Sequence, residues 1–303
     1  MLVHSSKQYR ERVEFVAFAP TGELYASSYD GLFRWPDPTA QARERVSDLR
    51  HIVRPQFSPC GRYFATHHEK LSVYDRESGT RTKPRLPENV WDTASAFAEG
   101  VLVMTQYTGH GAKTRVAARA VNQDNWNDDL WTVEEEERRV RALVGCVAGE
   151  RVMYATSWWE SSLTRTVYRY VQRDVRTGEV VDECDGPEPG TEWAVSADGT
   201  LVATALTNRV TVVAAENCAE PLAELKNDGR KHFTGIAFHP SGKYLAATSN
   251  DETVKLYDTN TWEVAHTLTW KVGRMRSIAF SPDGALAAAG ADKGQVVVWD
   301  VDL

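Results

Sequence analysis

Eight histidines, four cysteines and several acidic pairs are the side chains of this chain that could do chemistry. Their spacing decides which chemistry is open to them. His67 and His68 adjoin at the end of an apolar run; successive residues on a strand face opposite sides, so the two rings do not converge on one metal ion. Cys60, Cys146, Cys184 and Cys218 lie far apart and form no CxxC pair. Neither a zinc site nor a disulfide framework is expected from them, and their number suits a reducing cytoplasm. Asp128-Asp129 and the run from Glu134 to Glu137 read as solvated loop charges rather than a general acid–base pair. No phosphate-cradling glycine loop, GxSxG elbow, HExxH zinc helix or dinucleotide fingerprint is found. The expectation is a non-enzymatic protein with no metal and no cofactor.

The elements that must position these residues follow from a repeat. The turn signals FAPTG at 18–22, FSPCG at 57–61, VSADG at 195–199, FHPSG at 238–242 and FSPDG at 280–284 recur, with weaker copies AFAEG at 96–100 and CVAGE at 146–150. Taking one glycine from each, the spacings are 39, 39, 49, 50, 43 and 42 residues. A period near 40 means one supersecondary unit used seven times. Within a unit, IAFSPDGALAAAG is an apolar run, a turn and a second apolar run, and GQVVVWD follows as a third. Val, Ile, Phe, Tyr and Trp fill the runs, while Gly, Pro, Asp and Asn fill the breaks. A further run such as TWEVAHTLTW completes four antiparallel strands. Four strands per repeat is one blade of a propeller.

Trp299-Asp300 in VVVWDV, Tyr257-Asp258 in KLYDTN and Tyr74-Asp75 in SVYDRE end third strands, and Trp35 precedes Asp37 in the first unit. Asp30, Asp251 and Asp292 stand before third strands. On these residues the chain resembles the WD-repeat β-propeller family. The resemblance implies an all-β fold, a closed seven-bladed propeller with blades near 10–45, 46–87, 88–137, 138–187, 188–228, 229–271 and 272–303. The last unit stops after its third strand, so its fourth is expected from the N-terminus, within 1–9. Trp299, flanked by Val297, Val298 and Val301, is expected to be buried. The Gly-His pair usual in the family is missing from every unit, so the buried Asp-His-Ser-Trp network is expected to be absent and packing must replace it. The divergent, Arg-rich repeats point to a bacterial source.

Composition bounds the rest. With 42% hydrophobic and 25% charged residues in 303, the chain can bury a sizeable core. No apolar run approaches a membrane span, and MLVHSSKQYRERVEF has no apolar stretch of signal-peptide length. The net charge of −7 argues against a whole-surface nucleic-acid binder and leaves room for a local basic patch. The charge is uneven, however. The eight residues preceding each blade's turn-side apolar anchor, 10–17, 49–56, 89–96, 138–145, 187–194, 230–237 and 272–279, hold 11 lysines and arginines against 5 acids. In a propeller these segments include the loops of one face, the top. The basic residues there are candidates for binding a partner: Arg12, Arg54, Arg141, Arg230, Arg274 and Arg276, with His232 among them. Structural pairing with Asp30, Asp251 or Asp292 is the competing role.

The third and fourth units are long, and long loops often carry function. In the fourth, Trp158-Trp159 stands where the second strand turns into the third. The pair either fills space between blades or faces a partner. Trp126, in the connection of the third unit, is either exposed or folded back. The expected function is a monomeric cytoplasmic scaffold whose top rim holds another protein, by an acidic or phosphorylated segment. Two alternatives stand beside it. One is binding of an anionic small molecule or nucleic acid by the basic arc, helped by Trp91, Trp193 and Trp270 before first strands; the other is an enzyme working in the central channel.

Overall fold

The computed structural model describes residues 2–7, 12–47, 53–67, 71–84, 90–98, 100–108, 114–121, 128–135, 139–147 and 150–301, with the backbone alone at 2–7, 47, 53–54, 67, 90–93, 108, 139 and 141–147. Seven four-stranded antiparallel sheets form a seven-bladed β-propeller. The first blade is Val13–Phe18, Leu24–Ser28, Gly31–Trp35 and Glu44–Ser47; the second is Val53–Phe57, Tyr63–His67, Leu71–Asp75 and Arg81–Thr82. The third runs from Val90–Ala98 through Val101–Thr108 and Thr114–Ala120 to Asp129–Glu135. The fourth is Arg139–Val147, Arg151–Glu160, Arg165–Asp174 and Val180–Asp185. The fifth is Glu192–Val195, Leu201–Leu206, Arg209–Ala214 and Asn217–Lys226, and the sixth Phe233–Phe238, Tyr244–Ser249, Thr253–Asp258 and Val264–Thr269. Met275–Phe280, Leu286–Ala291 and Gln295–Asp300 make three strands of the seventh, and Leu2–Lys7 pairs on Gln295–Asp300 as its fourth, with Leu2 opposite Trp299 and Lys7 opposite Gln295. The expected closure is thus present, and it covers an edge that would otherwise offer unpaired backbone groups.

Each sheet is sandwiched between two others, so both of its faces are apolar, and this is why the strands read as continuous hydrophobic runs. The alternation of a strand then sorts residues between two seams. Ala287, Ala289, Ala291, Val297 and Trp299 pack with Tyr244, Ala246, Val254 and Leu256 of the sixth blade. Their neighbours Ala288, Val296 and Val298 pack instead with Val13, Val16, Leu24 and Trp35 of the first. This second seam is the one that closes the ring. It is tight enough that a Cβ on Gly290 would fall 2.6 Å from Val13 Cγ1. Trp299 is 2% exposed, and its ring lies 4.7 Å from that of Trp270.

Turn chemistry repeats with the blades. Gly284, at φ +75°, donates its N–H to Ser281 O, and Ser281 Oγ donates to Asp283 Oδ1 at 2.5 Å while accepting the N–H of Leu286 at 2.8 Å. Residues with a Cβ rarely adopt that φ, which explains the glycine in each turn signal among the described residues. The indole nitrogens of Trp35 and Trp299 are buried without a hydrogen-bond partner among the described residues. In these two blades the tryptophan acts through packing, as the missing Gly-His pair implies.

Candidate functional site

Strands alternate in direction, so the connections sort between two faces of the ring. Loops entering a first strand meet the hairpin between second and third strands: Asn250 N–H donates to His232 O, and Asp292 N–H to Arg274 O. On the opposite face, turns after a first strand meet the connection to a fourth, as in Thr259 N–H to Lys243 O and Val301 N–H to Ala285 O. The basic segments and the Trp158-Trp159 hairpin therefore share one face.

The structure separates the basic candidates into groups. Arg276 bonds through Nε to Asp292 Oδ1, within its own blade. Lys231 lies 3.5 Å from Asp251, and Arg12 bonds Glu14 at 2.5 Å. Burial pulls the Asp251 carboxyl toward the neutral acid, but hydrogen bonds with Thr253 and Ser249 and the Lys231 ammonium outweigh it, holding the group below the usual carboxylate range. Arg230, His232 and Arg274 are exposed on this face. Neither Arg230 nor Arg274 makes an ion pair among the described residues. The side chains of Arg54 and Arg141 lie outside the described residues.

The hairpin of the fourth blade extends the same face. Its two strands pair over ten residues each, to Trp159↔Thr166 and Glu160↔Arg165. The equivalent strands of the fifth blade have six residues, so the hairpin is longer by about 13 Å at the usual rise. Glu160 fixes its tip by accepting bonds from the Ser162 hydroxyl at 2.7 Å and the Ser162 N–H at 3.2 Å. These bonds hold its carboxyl below the ordinary value. Thr164, at φ +53°, completes the turn. The two tryptophans then part. Trp158 is half-buried with the Arg169 guanidinium 5.2 Å from its ring, and Arg169 is held by Asp185 at 2.8 Å. Trp159 is 63% exposed and Leu163, across the turn, is 53% exposed. Trp159 does not fill space between blades.

Two of the tryptophans at blade entries, Trp193 and Trp270, serve the fold. Trp193 donates its indole N–H to Gly190 O at 2.8 Å and lies 5.7 Å from Tyr170, and Trp270 packs on Trp299. This takes two of the three proposed stacking platforms from the anion-binding alternative. The side chain of Trp91, like Trp126, lies outside the described residues.

Two acids read as loop charges are structural. Asp129 bonds Arg119 at 2.7 Å and pairs also with Arg115. Glu135 is 7% exposed, accepts the Tyr154 hydroxyl at 2.5 Å and lies 3.5 Å from Arg173. Both belong to the fourth strand of the third blade, which begins inside the segment read as a connection. The alternation in DLWTVEE was the available signal. Glu136 and Glu137 lie outside the described residues, as does the His67-His68 side-chain pair. Among the described residues no group of three metal-ligating side chains converges, and no helix is long and apolar enough to cross a membrane.

Comparison with known proteins places the repeat. The family model for the WD domain, G-beta repeat, matches residues 220–258 and 262–300, two units that run from the fifth blade's end through the seventh blade. Protein HIR1 of Cryptococcus neoformans is 38% identical over 71 residues, covering 21% of this chain and 8% of that protein. Actin-interacting protein 1 of Drosophila melanogaster is 31% identical over 84 residues, 27% of this chain and 14% of that protein. The WD repeat-containing protein SL1-17 of Schistosoma mansoni is 29% identical over 130 residues, 42% of each chain. The chain thus spans well under two thirds of the length of these relatives. All three come from eukaryotes and lend no support to a bacterial source.

Proposed function

We propose that this seven-bladed ring, which carries WD repeats, is a non-enzymatic scaffold that holds an acidic or phosphorylated segment of another protein on its top face, as a monomer in the cytoplasm. The observation that carries the reading is the joint exposure, on one face, of Trp159 at the tip of a long hairpin and of the guanidinium groups of Arg230 and Arg274. An exposed tryptophan supplies an apolar anchor of the kind that dominates interface energetics. Arginine supplies a planar fork for carboxylate or phosphate oxygens. Arg54, Arg141, His232 and the paired Arg12 and Arg276 extend the candidate surface. Rim charges are screened, so each contact is weak and several blades must act together. A relative named for interaction with actin agrees with an interaction role.

A panel of labelled peptides, acidic, phosphorylated, neutral and basic, tests the reading. Acidic or phosphorylated members should bind, with affinity falling as salt rises. Joint reversal of Arg230 and Arg274 to Glu should abolish binding, and Trp159→Ala should weaken it about tenfold or more. Reversal of Arg176 and Lys243, exposed on the opposite face, should leave it unchanged. Binding lost only in the opposite-face variant, or no preference for acidic peptides, overturns the proposal.

A further inference from the structure

The sequence separates Cys184 and Cys218 by more than thirty residues and places them in different repeats. The fold brings them together. Cys184 lies on the outer strand of the fourth blade and Cys218 on the outer strand of the fifth. Cys218 is 1% exposed within the cluster that joins these blades, and the half-buried Cys184 packs against that same cluster. Both are free thiols. The backbones approach closely here: a Cβ on Gly186 would fall 2.8 Å from the carbonyl oxygen of Cys218. Gly186 continues the ladder, its N–H donating to Tyr168 O at 3.1 Å. Residues two apart on a strand share a face, so Cys184 is directed at the same neighbour.

We propose that Cys184 and Cys218 are a modification site: a vicinal thiol pair that forms a reversible disulfide between the fourth and fifth blades in exchange with a small disulfide such as oxidised glutathione. The roles of the two sulfurs are unequal. The hydrogen bond with Cys218 holds the Cys184 thiol below its ordinary value against burial, while the same bond and burial push Cys218 up. Cys184 is also the more accessible. Its thiolate is the first nucleophile, because the thiolate is the reactive form. It attacks one sulfur of glutathione disulfide; that S–S bond breaks, a Cys184–glutathione bond forms, and one glutathione leaves as thiolate and takes up a proton. Cys218 then attacks the Cys184 sulfur and expels the second glutathione, whose thiolate takes up the Cys218 proton. Two protein thiols lose two electrons and two protons, and one glutathione disulfide becomes two thiols.

The consequence is mechanical. The two outer strands belong to separate sheets, so no backbone ladder joins them. The disulfide would add a covalent tie across a seam otherwise held by side-chain packing and by the hydrogen bond that Gln172 Nε2 donates to Ala215 O.

The test uses the full chain equilibrated with glutathione mixtures from fully reducing to fully oxidising, then quenched and mapped by mass. The expected result is a cross-linked peptide pair containing Cys184 and Cys218, a mass lower by two hydrogens, and a melting temperature about 5 °C higher that dithiothreitol returns to its starting value. Cys184→Ser, at the half-buried site, should abolish both the cross-link and the shift while leaving the reduced protein's melting temperature unchanged. Cys218→Ala should do the same to the cross-link, and Cys60→Ala should alter neither. Full alkylation of Cys184 and Cys218 after the most oxidising mixture overturns the proposal. So does a stable glutathione adduct on Cys184 with no cross-link, or pairing of either residue with Cys60 or Cys146.

Discussion

The hydroxyl of Tyr154, in the fourth blade, donates to the carboxylate of Glu135, in the third, across 2.5 Å of protein interior. Arg173 completes the group: its Nε donates to the same hydroxyl oxygen at 2.7 Å, and its Nη1 donates to Gly178 O at 2.8 Å. Burial and the neighbouring carboxylate push the tyrosine well above its ordinary value, so it stays neutral and keeps donating. Removing one member leaves the others buried without their partner. Glu135→Ala should cost about 3 kcal/mol in denaturant unfolding. Tyr154→Phe, which keeps the charge pair, should cost about 1–2 kcal/mol. Equal and negligible losses would mean the group contributes nothing to the seam.

Trp299 offers a test of packing without hydrogen bonding. Its ring is buried against Trp270 and the apolar residues of two blades. Trp299→Ala should cost about 3–5 kcal/mol. The indole nitrogen has no partner among the described residues, so Trp299→Phe removes an unsatisfied donor along with some volume. It should cost under about half as much. A phenylalanine variant as unstable as the alanine variant would show that the nitrogen matters.

One short strand completes the last blade beside the closing seam. Deleting residues 1–7 removes the fourth strand of the seventh blade and uncovers the edge of Gln295–Asp300. The truncated protein should melt lower and associate at high concentration, because an open edge recruits strands. Calorimetry and light scattering check both effects; a monomer as stable as the parent would show that closure depends on the seam alone.

Acid should loosen the blade turns. Asp283 is held below its ordinary value by the Ser281 hydroxyl, and Asp198 by that of Ser196; Asp75 is lowered by the Arg62 guanidinium and Asp174 by the N–H of Thr177. A carboxyl lowered in the folded state stabilises it fully above the unfolded value, about 3.9, and that contribution is lost as pH falls through the folded value. The melting temperature should therefore hold from pH 7 to about 5 and fall steadily below about 4. These groups are largely solvated, so each share is small. In a variant carrying Asp198→Asn and Asp283→Asn the fall should be shallower; an identical slope would place the acid sensitivity elsewhere.

Blade number, turn positions and the closing strand were legible in the amino-acid order because each depends on local rules. A turn glycine, a run of β-formers and a period near 40 report backbone needs that neighbours in sequence must meet. What the order left open were side-chain contacts between strands, within blades and across seams. Trp158 and Trp159 are adjacent and chemically alike, yet one lies beneath Arg169 and the other faces solvent. A strand's alternation guarantees that they differ but not which faces out. Arg274 and Arg276 were equal candidates until the position of Asp292 beside one of them tied it down. Glu135 read as one of four charges in a run until Tyr154 and Arg173 met it from the next blade. Cys184 and Cys218 form no motif at all, because the separation that matters to sulfur is measured between the outer strands of neighbouring blades. That distance is set by how two separate sheets pack, and no local pattern in the chain encodes it.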